Sequence, residues 1–150
     1  MSAFTSNTVL IQVRHRITHE FLAEGVITPG DLISIDPTAG DVIRNATAAD
    51  DNPHLMIAIE DALRGRGISD NYADNDLVAC YVPLPGDILF MNVADGETPA
   101  YGEYLESASA GALQAATTGA PVAVALEAFT ASGVTRIKCM WMPSGIPTPA

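Results

Sequence analysis

The stretch TPGDLISIDPTAGDVI, residues 28–43, decides the fold. DLISID and the following DVIRNAT alternate apolar with polar residues, the period of a half-buried strand. PTAG between them is a turn signal, so the segment reads as a β-hairpin. The Pro29-Gly30-Asp31 triplet ahead of it has its own chemistry. Proline presets φ, glycine permits positive φ, and a short acid bonds nearby backbone. The same glycine–acid–apolar order recurs in PLPGDILFM (83–91) and YGEYLES (101–107). A turn leading into a strand accounts for all three without a ligand.

Working outward, two segments of the chain can be laid over each other. Gly30-Asp31 falls on Gly102-Glu103, and Gly40 falls on Gly111. PHLMIAIEDA from Pro53 falls on PVAVALEAF from Pro121, so that Glu60-Asp61-Ala62 meets Glu127-Ala128. DLVACYVP falls on TRIKCMWMP, which matches Cys80 with Cys139 and Pro83 with Pro143. The first copy carries the insertion RGRGISDNYADND where the second has TASG. EYLESASAGALQAAT is rich in Ala and Leu, yet Gly111 sits where a turn would fall, so a hairpin is preferred to a helix. Each copy is then a hairpin plus two strands, too small to bury its apolar faces alone; two together close one core.

The expectation is an all-β fold, a small β-barrel or jelly-roll-like sandwich built from two similar β units, with an extended N-terminal arm. Residues 1–24 form the arm, and its strand-like part, 8–18, can add to a neighbour's sheet edge. Residues 25–142 form a single β domain with the internal repeat at 28–83 and 100–143; 143–150 are a Pro-rich tail.

Hydrophobic residues make up 48% of the 150 and charged residues 17%, which excludes wholesale disorder and suits a subunit that buries surface in an oligomer. Seven basic residues face 18 acidic ones, net −11, and Lys138 is the only lysine. A field of that sign repels phosphate backbones and anionic membrane surfaces, so no nucleic-acid or membrane partner is expected. No apolar run approaches the roughly 20 residues of a bilayer span. MSAFTSNTVL lacks a basic segment followed by an apolar one, so synthesis in the cytoplasm is expected. Cys80 and Cys139 lie in apolar strand-like runs and read as buried thiols.

Catalytic, cofactor and metal sites are all expected to be none. No phosphate-loop glycine pattern and no G-x-S-x-G elbow occur, and Ser144 lies in the tail. His15, His19 and Glu20 would cluster on a helix, but VRHRITHE is β-branched and reads as extended. Asp70, Asp74 and Asp76 lack the glycine and terminal glutamate of a calcium loop, so 63–76 reads as a long exposed acidic loop. GISDNY overlaps a motif of the trimeric all-β dUTP pyrophosphatases, but Ala73-Asp74 stands where that family has Arg-Gly. The residues left for an interface are Arg64 and Arg66 of RGRG with Tyr72 in the same loop, and Arg14 and Arg16 of the arm. In an acidic chain these arginines are the concentrated positive charge, suited to a protein surface.

The second half also carries a resemblance. Gly102, Glu103, Leu105 and Ser107 at a strand start, the Gly111-x-Leu113 turn, VALEA (124–128) and RIKCMW (136–141) look like the C-terminal part of small virion structural proteins of tailed bacteriophages. The first half has a similar plan, so the likeness covers about residues 25 to 142. It implies a capsid decoration or cement protein: small, β-rich and non-enzymatic, bound as a homodimer or homotrimer to the outer surface of the head. The implied partner is the major capsid protein, the implied location the outside of the virion capsid. The other readings are a tail, collar or head-fibre base protein and, less so, an all-β nucleotide-hydrolysing enzyme. Residues 63–76 depart from the leanest members.

Overall fold

Period-two alternation becomes short strands throughout. The structure, a computed structural model, describes residues 5–44, 56–117 and 120–142. The strands are β1 (Leu10–Gln12), β2 (Thr18–Leu22), β3 (Leu32–Ile35), β4 (Val42–Arg44), β5 (Met56–Ala58), β6 (Leu77–Tyr81), β7 (Ile88–Val93), β8 (Tyr104–Ser107), β9 (Leu113–Ala115), β10 (Ala123–Ala125) and β11 (Thr135–Trp141). A single 3-10 turn, Ala62–Arg64, is the only helix among the described residues. The tail at 143–150 and His54 lie outside the described residues.

One sheet has the order β2-β6-β5-β3-β4 and the other β1-β7-β11-β10-β8-β9. Apart from β1, the two orders are the same pattern, so the fold is two similar β units: unit one from β2 to β6, unit two from β7 to β11. The registers agree as well. Ile33 stands opposite Arg44 and Met56, and Leu105 opposite Ala115 and Ala123. Cys80 stands opposite Ala58 and His19, and Cys139 opposite Ala125 and Leu89. A parallel pairing of Val93 with Leu113 joins β7 to β9 and closes unit two into a five-stranded barrel. In unit one the corresponding residues, Ala23 and Val42, form a parallel bridge. Each unit therefore begins one strand earlier than the hairpin, at Thr18 and Ile88, and not at the repeat start read from the sequence.

Alternation then sorts side chains by face. In unit two, Leu89, Met91, Val93, Leu105, Leu113, Ile137 and Cys139 are fully buried in one cluster. In unit one, Ala23, Ile33, Val42, Met56, Ala58, Val78 and Cys80 form the counterpart. Leu32, Ile57, Ile59 and Tyr81 point to the other side of the first sheet and belong to the cluster of unit two. The outer face of unit one is thus part of the larger core and joins the units. Burying one such large apolar side chain stabilises by about 1.5–3 kcal/mol.

The N-terminal segment, expected as an extended arm, is folded into the domain. Val9 is buried, β1 pairs with the outer edge of β7, and β2 pairs with β6 along its whole length. A strand is stable only when its backbone groups find partners, and both partners here belong to the same chain.

The three glycine–acid motifs are one device. The N–H groups of Asp31, Asp87 and Glu103 donate to the carbonyls of Thr28, Leu84 and Ala100 at 3.0, 3.0 and 3.1 Å. The acid side chains accept from the N–H groups of those same residues, each at 2.8 Å. Gly30, Gly86 and Gly102 have φ of 96°, 91° and 78°, the position of a type II turn that favours glycine.

Both cysteines are free and buried. Burial pushes the Cys80 thiol up to about 12 and raises Cys139 as well. Because the thiolate is the reactive form, neither thiol is expected to react with a disulfide reagent in the native protein at neutral pH. Both should react once denaturant is added. Rapid native labelling of either would show that its barrel opens.

Candidate functional site

The insertion between β5 and β6 is a braced structure. Asp61 starts the 3-10 turn by accepting from the Arg64 N–H at 3.3 Å, and Gly65 ends it with φ of 73°. Arg64 Nη1 lies 3.0 Å from Asp61 Oδ2 and Arg66 Nη1 2.9 Å from Asp76 Oδ2. Asp76 also accepts from the Ala73 N–H at 2.9 Å. The hydrogen bond and charge of Arg66 lower the Asp76 carboxyl below its ordinary range, and the guanidinium of Arg66 is raised in return. Asp70 caps the Gly67 N–H at 2.6 Å, and Asp74 accepts from the Gly25 N–H at 2.8 Å. The acids of this loop are turn caps and arginine partners. Among the described residues no cluster of three or more His, Cys, Asp or Glu could hold a metal ion.

Leu63 is the outlier. It is 99% exposed at the tip of the 3-10 turn, beside Arg64. Below it, Leu63, Asp61, Glu60, Glu20, Ala79 and Arg16 line a groove of about 650 Å³. The structure thus brings Arg16 to the same groove as the residue next to Arg64. Arg14 is exposed, and its backbone N–H is held 3.4 Å from Asp87 Oδ1. Arg66 stands behind the tip, facing Asp76.

Tyr72 is not on this surface. It is 1% exposed, pairs with Ile27 through both backbone groups, and donates its hydroxyl to the Ile59 carbonyl at 2.6 Å. Burial pushes the phenol up to about 12. As the one large apolar ring in a polar loop, it fills the core of unit one, and that is the reason it cannot serve a partner. The expectation that placed it at an interface is corrected. The sequence reading places Leu63 in the exposed loop 63–76, where the structure has it, but does not single it out, because the arginines beside it carry the interface reading.

The second polar centre joins the units. Arg136 donates from Nε to the Pro29 carbonyl at 2.9 Å and from Nη2 to the Ile68 carbonyl at 2.6 Å. Asn92 Nδ2 donates to Asp31 Oδ1 at 2.7 Å. Burial lowers the Arg136 guanidinium. Asn92 bonds Asp31 and Arg136 bonds backbone across the joint, and all three line a cavity of about 410 Å³.

No helix of the described residues is long and apolar enough to cross a membrane. A scan of protein-family models finds no match to the chain, and a search of curated proteins finds none.

Proposed function

We propose that the protein is a non-enzymatic capsid decoration or cement protein, binding the outer surface of a phage head and bridging capsid subunits. The observation that carries this reading is the Leu63 tip. Leu63 is 99% exposed on a turn that is capped and braced by two arginine–carboxylate pairs, and it stands on a groove that Arg16 and Glu20 also line. An exposed apolar residue with Arg64 next to it in sequence and Arg16 on the same groove offers a partner surface apolar contact and guanidinium donors together. The mechanism is mass action: a protein that binds the assembled shell and not its separated parts stabilises the shell. Self-association and the major capsid protein as partner belong to the same proposal.

The test is copy number in purified particles, measured by quantitative mass spectrometry against the major capsid protein. One copy or a simple fraction per capsid subunit is expected. A handful of copies per particle would move the protein to the tail or collar, and absence would overturn the reading. Leu63→Asp is expected to weaken binding to expanded heads on the order of 100-fold while leaving the melting temperature unchanged, because the side chain touches nothing at home. Arg64→Ala combined with Arg66→Ala should also weaken binding. Saturation of heads by both variants as by wild type would remove this loop from the interface.

A further inference from the structure

The joint between the units exists once inside the chain, and its two halves exist a second time, unmated among the described residues. In the joint, the turn of unit one at 29–31 presses on β7 and β11 of unit two. A Cβ at Gly30 would lie 3.2 Å from the Phe90 carbonyl oxygen and 3.3 Å from Arg136 Nε. The shared register gives the strand and turn residues of the joint counterparts, whereas Ile68 lies in the insertion and has none. Tyr101 and Gly102 of unit two take the places of Pro29 and Gly30. Leu22 and Leu77 of unit one take the places of Asn92 and Arg136. Nothing lies within 4 Å of a Cβ at Gly102. On the outer face of unit one, Leu32, Ile57, Ile59 and Tyr81 are at most 1% exposed. Their counterparts in unit two are open: Tyr104 is 37% exposed, and Val124, Leu126 and Met140 are half-buried. Tyr101 is 64% and Leu22 45% exposed. The outer edge of β7 is covered by β1, whereas that of its counterpart β2 is a sheet margin.

The chemistry of the unmated halves has changed together. Inside the chain the contact is polar, with Asn92 and Arg136 against backbone carbonyls and Asp31. In the unmated halves it is Leu22 and Leu77 on one side, and on the other Tyr101 with Glu103, the counterpart of Asp31. Single exposed apolar residues are ordinary, but here they fall on both sides of one repeated contact.

We infer that a second copy of this chain docks head to tail, seating the Leu22 side of its unit one on the Tyr101–Tyr104 face of unit two. The contact repeats the step that relates unit one to unit two. Because its two sides differ, it is heterologous and generates a closed ring or an open chain. This deepens the self-association in the reading above; Leu63 is not a residue of the joint, although Glu20 and Ala79, on the strands of Leu22 and Leu77, line its groove.

The experiment is sedimentation and light scattering of the purified full chain in the micromolar range. Wild type is expected to be a multimer. Leu22→Glu, Tyr104→Glu and Tyr101→Glu should each weaken association on the order of 100-fold, by placing an unpaired carboxylate in the contact. All three sites are exposed, and unchanged circular dichroism checks that each variant folds. The decisive sample is an equimolar mixture of Leu22→Glu and Tyr104→Glu. Each retains the half that the other lacks, so a species of two chains should form where each alone is monomeric. A monomeric wild type overturns the inference, as does a mixture that stays monomeric. If wild type becomes multimeric only when 143–150 are removed, the chain's own tail covers the face and the inference is overturned. Multimers indifferent to all three variants would overturn this face and leave self-association standing. Particle copy number fails or holds separately.

Discussion

Gly111→Ala is expected to destabilise the protein by about 2–5 kcal/mol, whereas Gly40→Ala, at the counterpart position, costs only about 1–2 kcal/mol. Both glycines turn a hairpin at nearly the same positive φ, 79° and 78°, so the left-handed strain of an L-residue is common to the pair. What differs is the surroundings. A Cβ on Gly40 meets nothing within 4 Å. A Cβ on Gly111 would lie 2.9 Å from Asp31 Cβ and 3.1 Å from the Leu32 carbonyl oxygen. The neighbouring backbone cannot retreat, because Leu32 donates its N–H to the Gly111 carbonyl at 2.8 Å. The extra methyl must push the hairpin of unit two away from the β3 start of unit one. At about 2–4 °C per kcal/mol for a chain of this size, a loss near 3 kcal/mol lowers the melting temperature by roughly 6–12 °C. Thermal and urea unfolding of both variants provide the comparison. Equal losses would mean that the units do not meet at this turn.

The contrast shows what a sequence can and cannot reveal. Gly40 and Gly111 were paired from spacing alone, as were Cys80 with Cys139 and Gly30 with Gly102, because turn glycines and strand alternation are local. The β class and the two similar units were legible for that reason. The fifth strand of each unit was not. THEFL and ILFMNV share no spacing, since His19 stands where unit two has Leu89, and their partners in β6 and β11 are distant in sequence. Closure by one parallel residue pair leaves no periodic trace. In the insertion, charge and glycine content correctly indicated a loop and concealed its anchoring. Arg66 meets Asp76 ten residues on, and Tyr72 pairs with Ile27 in an antiparallel bridge. The exposure of Leu63 depends on the direction in which that anchored turn points, which composition does not encode.

Asp87→Ala is the second large effect, with an expected loss of about 2–4 kcal/mol. Asp87 is 1% exposed, and its carboxylate gathers three segments. It accepts the Leu84 N–H of its own turn at 2.8 Å, the Arg14 N–H of the N-terminal segment at 3.4 Å, and the Tyr81 hydroxyl at the end of β6. Burial and the bond to Asp87 raise the Tyr81 phenol above its ordinary range, so it stays protonated and donates. Deleting the carboxylate removes the charge-assisted bond of the buried Tyr81 hydroxyl, at about 1–3 kcal/mol, and the acceptor of the part-buried Leu84 and Arg14 N–H groups. Glu103 makes the same turn in unit two but is half-buried and gathers only the Ala100 N–H; Glu103→Ala should cost about 0.5–1 kcal/mol, in the range of a lost cap. Tyr81→Phe still leaves Asp87 with its two backbone donors, so its loss should fall between those of the other two variants. In a double-mutant cycle, Asp87→Ala with Tyr81→Phe should be less damaging than the sum of the single losses, because the two share one bond. The variant should also free the N-terminal segment first. That segment carries β1, which covers the edge of β7, so limited proteolysis before β2 should accelerate well below the global transition. If Asp87→Ala melts with Glu103→Ala and the segment stays protected, the acid is only a turn residue, and the segment is held by β1, by Val9 on Glu60, by the Tyr81 hydroxyl on the His15 carbonyl and by the Val82 N–H on the Ile17 carbonyl.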